Sequence, residues 1–385
     1  MTRIISFFTA VLMFLIPAVN IPKTALDTEN ANTQYTCVFV HGLSGWGEYD
    51  FYYRLAPYWG MFGGDLMRYL RARGVDAHAA TVAPTASAWD RACELYAQLT
   101  GTRTDYGAEH SERCGHSRYG KDYSCVPLIK GWDAENKINL FGHSFGGATI
   151  LLFAELMANG SDAEREATPA DELSELFKGG KGDWIYSLTA LSAPMNGTTA
   201  YNAQEDIEED PDATVEERTD VALIYNATEY PSDRIKEDSA WYDLHIDGAL
   251  ELLEGIETQS GLYYFSIPCC KTVQADDGTW HAAKSGMEPL FRASAERMGS
   301  MTGVTPGGFV FDESWQQNDG LVNTISARAP LNAPQRELDR DDIQPGIWNV
   351  FPVYDGDHMS LQGGMLQNNP VRELYMDIIN MINSI

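Results

Sequence analysis

An α/β architecture, with a mostly parallel central sheet flanked by helices, is the fold class this sequence predicts, and three observations carry it. The first is Ile138 to Met157, INLFGHSFGGATILLFAELM. There an apolar run ends at Phe141, breaks at Gly142-His143-Ser144-Phe145-Gly146, and resumes with the spacing of a buried helix. The second is an early strand, Tyr35 to Val40, that runs straight into the glycine-rich stretch from His41 to Gly47. The third is the alternation of extended and helical patterns along much of the remaining chain, which is how parallel strands and their crossovers read.

Gly-x-Ser-x-Gly between a strand and a helix is the nucleophile-elbow arrangement. Its glycines leave room for a strained turn, so that Ser144 Oγ projects above the sheet edge. The helix behind it aims backbone N–H groups at the place where an oxyanion forms. The bare pattern also arises by chance, and the flanking strand and the Gly147-Ala148 helix start select the serine-hydrolase reading. In an α/β-hydrolase fold the loop after an early strand gives the second oxyanion donor, so the predicted donors are the N–H groups of Leu43 and Phe145. His41 is expected to orient that loop by hydrogen bonding.

Further along, Leu66 to Arg73 reads as an amphipathic helix capped by Gly74, and Val75 to Val82 as the next strand. A polar insertion covers about 84–132, with a helix opening at Asp90 and with His110 and His116 in a loop. Two histidines six apart plus one Asp do not by themselves separate a metal site from solvated loop residues. Trp184 to Leu191 reads as a strand ending at Ser192-Ala193-Pro194-Met195-Asn196-Gly197-Thr198-Thr199, at the active-site rim. Residues 200–240 are sharply acidic, most simply a solvated, mobile surface loop. Gly248 to Leu253 reads as a helix and Leu262 to Ile267 as a late strand.

The 385 residues carry a formal charge of −28, which argues against nucleic acid and anionic membrane surfaces as partners. Arg3 followed by the apolar run Ile4 to Val19 predicts a signal peptide over 1–20, hence an extracellular protein with no stable membrane insertion. A polar leader over 21–34 and a single domain over 35–385 complete the organisation, and oligomeric state is not encoded legibly. Export permits disulfides; Cys114 and Cys125 are near enough in sequence to bridge one loop, while the adjacent Cys269 and Cys270 stay unassigned.

A serine nucleophile needs a base, and the imidazole needs an acid that fixes its tautomer. In this fold the order is Ser, then Asp or Glu, then His. Of the eight histidines only His245, His281 and His358 follow Ser144. His358, in a loop before the final helix, is the base by position. Asn318-Asp319-Gly320 puts a carboxylate at a turn, so Asp319 is assigned as the acid, with Asp355 in reserve. The implied reaction is carboxylic ester hydrolysis through an acyl-enzyme, on acylglycerols or simple esters. A thioester, amide or polyester hydrolase, a zinc-dependent hydrolase and a non-enzymatic binding protein are the alternatives.

HGLSGWG, WDRACELYAQL, DYGAEH, GHSRYG, GHSFGG, SAPMNGTT, WYDL, NDGLVN and DHM occur in an order and spacing that resembles the zinc-containing thermostable lipases of bacilli and the related staphylococcal lipases. The resemblance spans roughly Cys37 to His358. It implies the triad Ser144, Asp319 and His358, and a zinc held by Asp90, His110, His116 and Asp243. Four protein ligands would leave no open position, which makes such a zinc structural. Three departures stand out. The positions of the family's calcium carboxylates hold Ser360 and Met365, so calcium is not expected, although Gly286 matches a backbone ligand. The lid is replaced by a shorter acidic segment, expected neither to cover a deep acyl groove nor to enter an interface, with 291–303 as the alternative lid. Phe145 replaces the usual Gln after the nucleophile, which predicts a more apolar pocket.

Overall fold

The computed structural model describes residues 34–225, 235–364 and 371–385. The expected signal peptide and nearly all of the polar leader lie outside them. Seven strands form one sheet: β1 Thr36–Val40, β2 Ala77–Ala80, β3 Ile138–His143, β4 Ile185–Leu191, β5 Tyr263–Ile267, β6 Gln335–Glu337 and β7 Trp348–Val350. Their order is β6-β7-β5-β4-β3-β1-β2, and every pairing is parallel. A parallel sheet is covered on both faces, which is why β3 reads as an unbroken apolar run and is buried at every residue.

The two-residue period of β1 divides the core into two layers. Val38 and Val40 face one layer with α2 (Ala88–Thr100) and α4 (Phe145–Asn159), whose inner faces carry Leu95, Leu99, Ile150 and Phe153. Cys37 and Phe39 face the other, with α1 (Leu66–Arg71) and the C-terminal α9 (Val371–Asn383), where Phe39 stacks on Phe141 at 4.6 Å and meets the edge of Tyr375 at 5.6 Å. The chain leaves β1 outward to β2 and returns on the other side as β3. The β1 and β3 loops therefore open side by side at the topological switch point, where ligands of open α/β sheets bind.

Three expectations are corrected. The acidic stretch expected to be a loop contains α5 (Ala200–Glu209) and α6 (Val215–Tyr225). Its helical signal is hidden because only Ala200, Tyr201, Ala203 and Ile207 turn inward, while Glu205, Asp206, Glu208 and Glu209 face solvent. The start of α6 is a capping box: Thr214 N–H donates to Glu217 Oε2 at 2.7 Å and Glu217 N–H to Thr214 Oγ1 at 3.1 Å. The side chains of 221–225, the apolar remnant of this segment, lie outside the described residues. His110 is likewise helical, on α3 (Ala108–Cys114), and all six cysteines are free thiols, so Cys114 and Cys125 are not bridged. Among the described residues no helix is long and apolar enough to cross a membrane.

The 291–303 segment folds as a helical turn, Pro289–Phe291, and α8 (Arg292–Met298), with Phe291, Ala295 and Met298 buried. Arg297 on α8 reaches Asp206 at 3.0 Å and also pairs with Asp210. The two segments weighed as lids are thus tied to one another.

Candidate active site and metal centre

Ser144 sits at the tip of the β3–α4 turn with φ 55° and ψ −130°, outside the regions a non-glycine residue ordinarily adopts. Such backbone costs about 1–3 kcal/mol and persists where its surroundings enforce it. A Cβ on Gly142 would come 2.4 Å from Gly146 O, and one on Gly146 would come 2.3 Å from Val40 O. Both glycines are demanded by close backbone approach.

The His358 loop reaches Ser144 from the far end of the chain. His358 Nε2 lies 2.8 Å from Ser144 Oγ and Nδ1 lies 3.0 Å from Asp319 Oδ2. His358 and Asp319 are buried, and Ser144 is 8% exposed. Asp319 Oδ1 accepts from Leu321 N–H at 3.0 Å and Val322 N–H at 2.7 Å, while Oδ2 also accepts from Ser192 Oγ–H. Ser192, at the start of the rim segment, was not singled out from sequence; its φ of 48° in a buried turn is its only peculiarity, and that is a structural one. Asp355 is not brought to His358: its side chain is 87% exposed and pairs with Lys271 Nζ at 2.7 Å.

Leu43 stands in the loop beside Ser144, and Phe145 is the first residue of α4. A Cβ on Gly42 would lie 2.7 Å from Ser144 Cβ and 3.2 Å from its Oγ, so the loop passes as near the serine as backbone can. His41 is wholly buried, with Nδ1 2.8 Å from Gly42 O and Nε2 3.1 Å from Val82 O. Burial, then the Arg91 charge, holds its pKa down at about 3. Arg91 is buried beneath both loops. It donates to His41 O at 2.5 Å, Ala83 O at 2.9 Å and Thr149 Oγ1 at 2.8 Å, and lies 4.7 Å over the Phe145 ring. That ring is fully buried against the guanidinium. The expectation that Phe145 makes the pocket more apolar is therefore corrected.

The histidines of the insertion converge on two carboxylates. His110 Nε2 is 3.2 Å from Asp90 Oδ1 and 3.5 Å from Asp238 Oδ1; His116 Nε2 is 3.8 Å from Asp90 Oδ1 and 3.5 Å from Asp238 Oδ2. A tetrahedral ion with bonds of ~2.0 Å places its ligand atoms ~3.3 Å apart, close to these separations. His116 Nε2 is buried without a hydrogen-bond partner among the described residues, and its Nδ1, 3.0 Å from Ser117 O, carries the proton. Cys114 also stands close to His110, His116 and Asp238, but its Sγ is 3.7 Å from His110 Nδ1, whereas Nε2 faces the carboxylates, so Asp90 is the group that shares the face of the histidines with Asp238.

Asp243, on α7 (Ala240–Leu244), is not among these atoms, which corrects the sequence assignment. Its Oδ2 accepts from Ala88 N–H at 2.6 Å, serving the start of α2, and Asp238 takes the place beside the histidines. Burial, opposed by the Ala88 bond and reinforced by Asp238 and Asp90, pushes the Asp243 pKa up to about 7. The histidines are held by neighbours the sequence did not flag. Glu164 accepts from His110 N–H at 2.8 Å and Glu109 N–H at 3.2 Å, and Trp89 stacks on His110 at 5.2 Å.

A lipase-like C-terminal domain family matches residues 33–209. A lipase of Staphylococcus hyicus is 32% identical over 377 residues, 89% of this chain and 56% of the relative. The chain thus spans about half the length of the curated relatives it matches. The solved structure of lipase 1 from Pelosinus fermentans is 32% identical, with a TM-score of 0.74 over 92% of this chain and 99% of that one. The chain belongs to the family of staphylococcal-type lipases. EstA from Clostridium botulinum, 29% identical, superposes with a TM-score of 0.79 over 100% of this chain and 98% of its own.

Where this lipase-family chain departs from the resemblance, the His358 loop has its own ties. Lys271 lies directly on Gly286: a Cβ there would come 2.6 Å from Lys271 Cε and 3.0 Å from Nζ. Ser360 Oγ–H donates to Asp357 Oδ1 at 2.8 Å, and Glu288 N–H to Asp357 Oδ2 at 2.8 Å. Met365 lies outside the described residues.

The geometry around the histidines sets the first expected outcome. Asp238→Asn and His110→Ala lower bound zinc, read by elemental analysis after dialysis, well below the level of the unaltered protein, whereas Asp243→Asn leaves it near that level. Retention of zinc by Asp238→Asn with loss in Asp243→Asn would restore the sequence assignment.

Proposed function

We propose that this chain is a carboxylic ester hydrolase working through Ser144, His358 and Asp319. The observation that carries the reading is the hydrogen-bonded line from Ser144 Oγ through His358 to Asp319, 2.8 and 3.0 Å, ending beside a glycine-rich loop. His358 Nε2 takes the Ser144 proton as Oγ attacks the ester carbonyl carbon. Asp319, held by four hydrogen bonds, keeps Nδ1 protonated and stabilises the imidazolium. Leu43 and Phe145 N–H groups receive the oxyanion, and the alcohol leaves with the proton from His358. Water, deprotonated by the same imidazole, then releases the acid from the acyl-enzyme.

Asp90, His110, His116 and Asp238 would hold a zinc ion, whose contribution is structural: it joins α2, the insertion and the segment before residues 240–244. Calcium is not part of this reading, because the Lys271 ammonium against Gly286 repels a second cation there. Export rests on Arg3 and the apolar run to Val19.

The favoured substrates are dissolved short or medium acyl esters. The outer face of α5 carries Glu205, Asp206, Glu208 and Glu209, and each carboxylate resists leaving water at a lipid surface. The inner face of α5 and the apolar side of α8 are already buried in the domain.

Ser144→Ala is expected to lose several powers of ten in kcat with little change in Tm; retention of even about a tenth of the activity would end the serine reading. Asp319→Asn lowers kcat by orders of magnitude and Asp355→Asn hardly at all, and the reverse ranking would move the acid. Chelation with a calcium-selective agent leaves ester hydrolysis unchanged; a reversible loss restored by calcium counts against the Lys271 argument. Rates on p-nitrophenyl esters peak at short or medium chains, with little jump as substrate passes its solubility limit. A steep rise on emulsified long-chain triglyceride would show a true interfacial enzyme instead.

A further inference from the structure

We propose that His143 and Tyr58, which take no part in the chemistry, form a positioning relay that ties the oxyanion loop to the backbone of the general base. The inference rests on the triad reading above. His143, the residue before the nucleophile, is wholly buried, and Tyr58 is nearly so. His143 Nε2 lies 2.8 Å from His358 O, its Nδ1 lies 2.7 Å from Tyr58 Oη, and Gly42 N–H donates to Tyr58 Oη at 3.1 Å.

Chemistry fixes the direction of every bond in this line. A carbonyl oxygen only accepts, so the His143 proton sits on Nε2. The neutral ring then offers a lone pair at Nδ1, so Tyr58 O–H donates to it. The Tyr58 oxygen in turn accepts the Gly42 N–H. Burial, then the charge on His358, keeps the His143 pKa down at about 3, consistent with a neutral ring.

The two ends of the line are the parts that must stay in register during catalysis. Gly42 immediately precedes the proposed oxyanion donor Leu43 and packs on Ser144. The His358 backbone is gripped at both polar groups: its N–H donates to Asp319 O at 2.9 Å and its carbonyl accepts from His143. Tyr58 is wedged beside His41 at 5.7 Å and His143 at 6.0 Å, and Trp59 meets the edge of His143 at 6.1 Å, so neither partner can swing away. A fault at Tyr58 would therefore be felt at the His358 backbone and at Gly42 together. Such a fault slows the acylation step while leaving ground-state binding nearly intact.

The test is steady-state kinetics of Tyr58→Phe, His143→Gln, His143→Leu and the double variant Tyr58→Phe/His143→Gln, with active sites counted by phosphonate titration. Counting sites removes misfolded molecules from the rate. Tyr58→Phe keeps the ring and is expected to lower kcat about tenfold with KM within about twofold. His143→Gln, which keeps an N–H for the His358 carbonyl, retains more kcat than His143→Leu. The double variant falls no further than about twofold below Tyr58→Phe, because one chain is cut twice. Full kcat in Tyr58→Phe, equal losses in the two His143 variants, or losses that multiply in the double variant would overturn the relay. Ser144→Ala measured alongside separates the two claims: an inactive Ser144→Ala with an unimpaired Tyr58→Phe removes the relay and leaves the triad reading standing.

Discussion

The approach of the β1 loop to the β3 elbow, with Gly42 in contact with Ser144, is the constraint on which the site depends. It demands glycine at 42, 142 and 146, since a methyl group at any of them would strike backbone or the serine itself. It also puts Ser144 into a backbone conformation that costs free energy locally. The cost is borne by the two-layered sheet around it, where β1 and β3 are buried neighbours in a seven-stranded parallel array. Neither loop holds its shape alone. Each is braced by buried polar groups that touch the other: Arg91 bonds the β1 loop and lies on the first ring of α4, and Tyr58 joins Gly42 to His143.

Arg91 shows why the bracing is polar. A guanidinium with no exposure is expensive unless its donors are met, and here carbonyls of His41 and Ala83 and the Thr149 hydroxyl meet them. Burial lowers its pKa to about 10, which leaves it charged at neutral pH. Burial, reinforced by that fixed charge, keeps His41 neutral and acting through its two backbone contacts. Helix α2 carries Arg91 toward the elbow and, one residue earlier, Asp90 toward the histidine cluster. The cluster and the catalytic loops thus share one rigid helix, the simplest physical route by which a bound ion would stiffen the site.

Much of the candidate site was legible because the residues brought together there stand out in local pattern and chain order. Ser144 stands between a strand and a helix, His358 is the last of eight histidines, and Asp319 occupies an Asn-Asp-Gly turn. What escaped depends on packing between distant segments. Asp238 and Asp243 are five residues apart, and nothing in their spacing says which carboxylate faces His110 and which meets the first N–H of α2. The acidic stretch was misread because its carboxylates outweigh four inward residues in any average over the window, and because the counter-charge, Arg297, lies about ninety residues away. Ser192, Tyr58 and His143 are ordinary residues in the sequence, and their contacts with Asp319, Gly42 and His358 come only from what the sheet brings together.

Lys271 braces the loop that carries His358 in a comparable way. Asp355 and Asp357 both precede His358, and Asp357 is repelled by the nearby Asp319. The Lys271 ammonium pairs with Asp355, while Asp357 turns inward to bond Glu288 N–H and Ser360 Oγ–H. Burial, followed by repulsion from Asp319 and Glu288 and opposed by those bonds, raises the Asp357 pKa. Short parallel pairing of Tyr354–Asp355 with Cys269–Cys270 brings Lys271 into reach, so the ion pair and the backbone ladder act on the same few residues. A divalent ion could brace such a loop, and so can a lysine placed against Gly286. The lysine does so without needing an ion from solution, at the expense of a site that any cation could share.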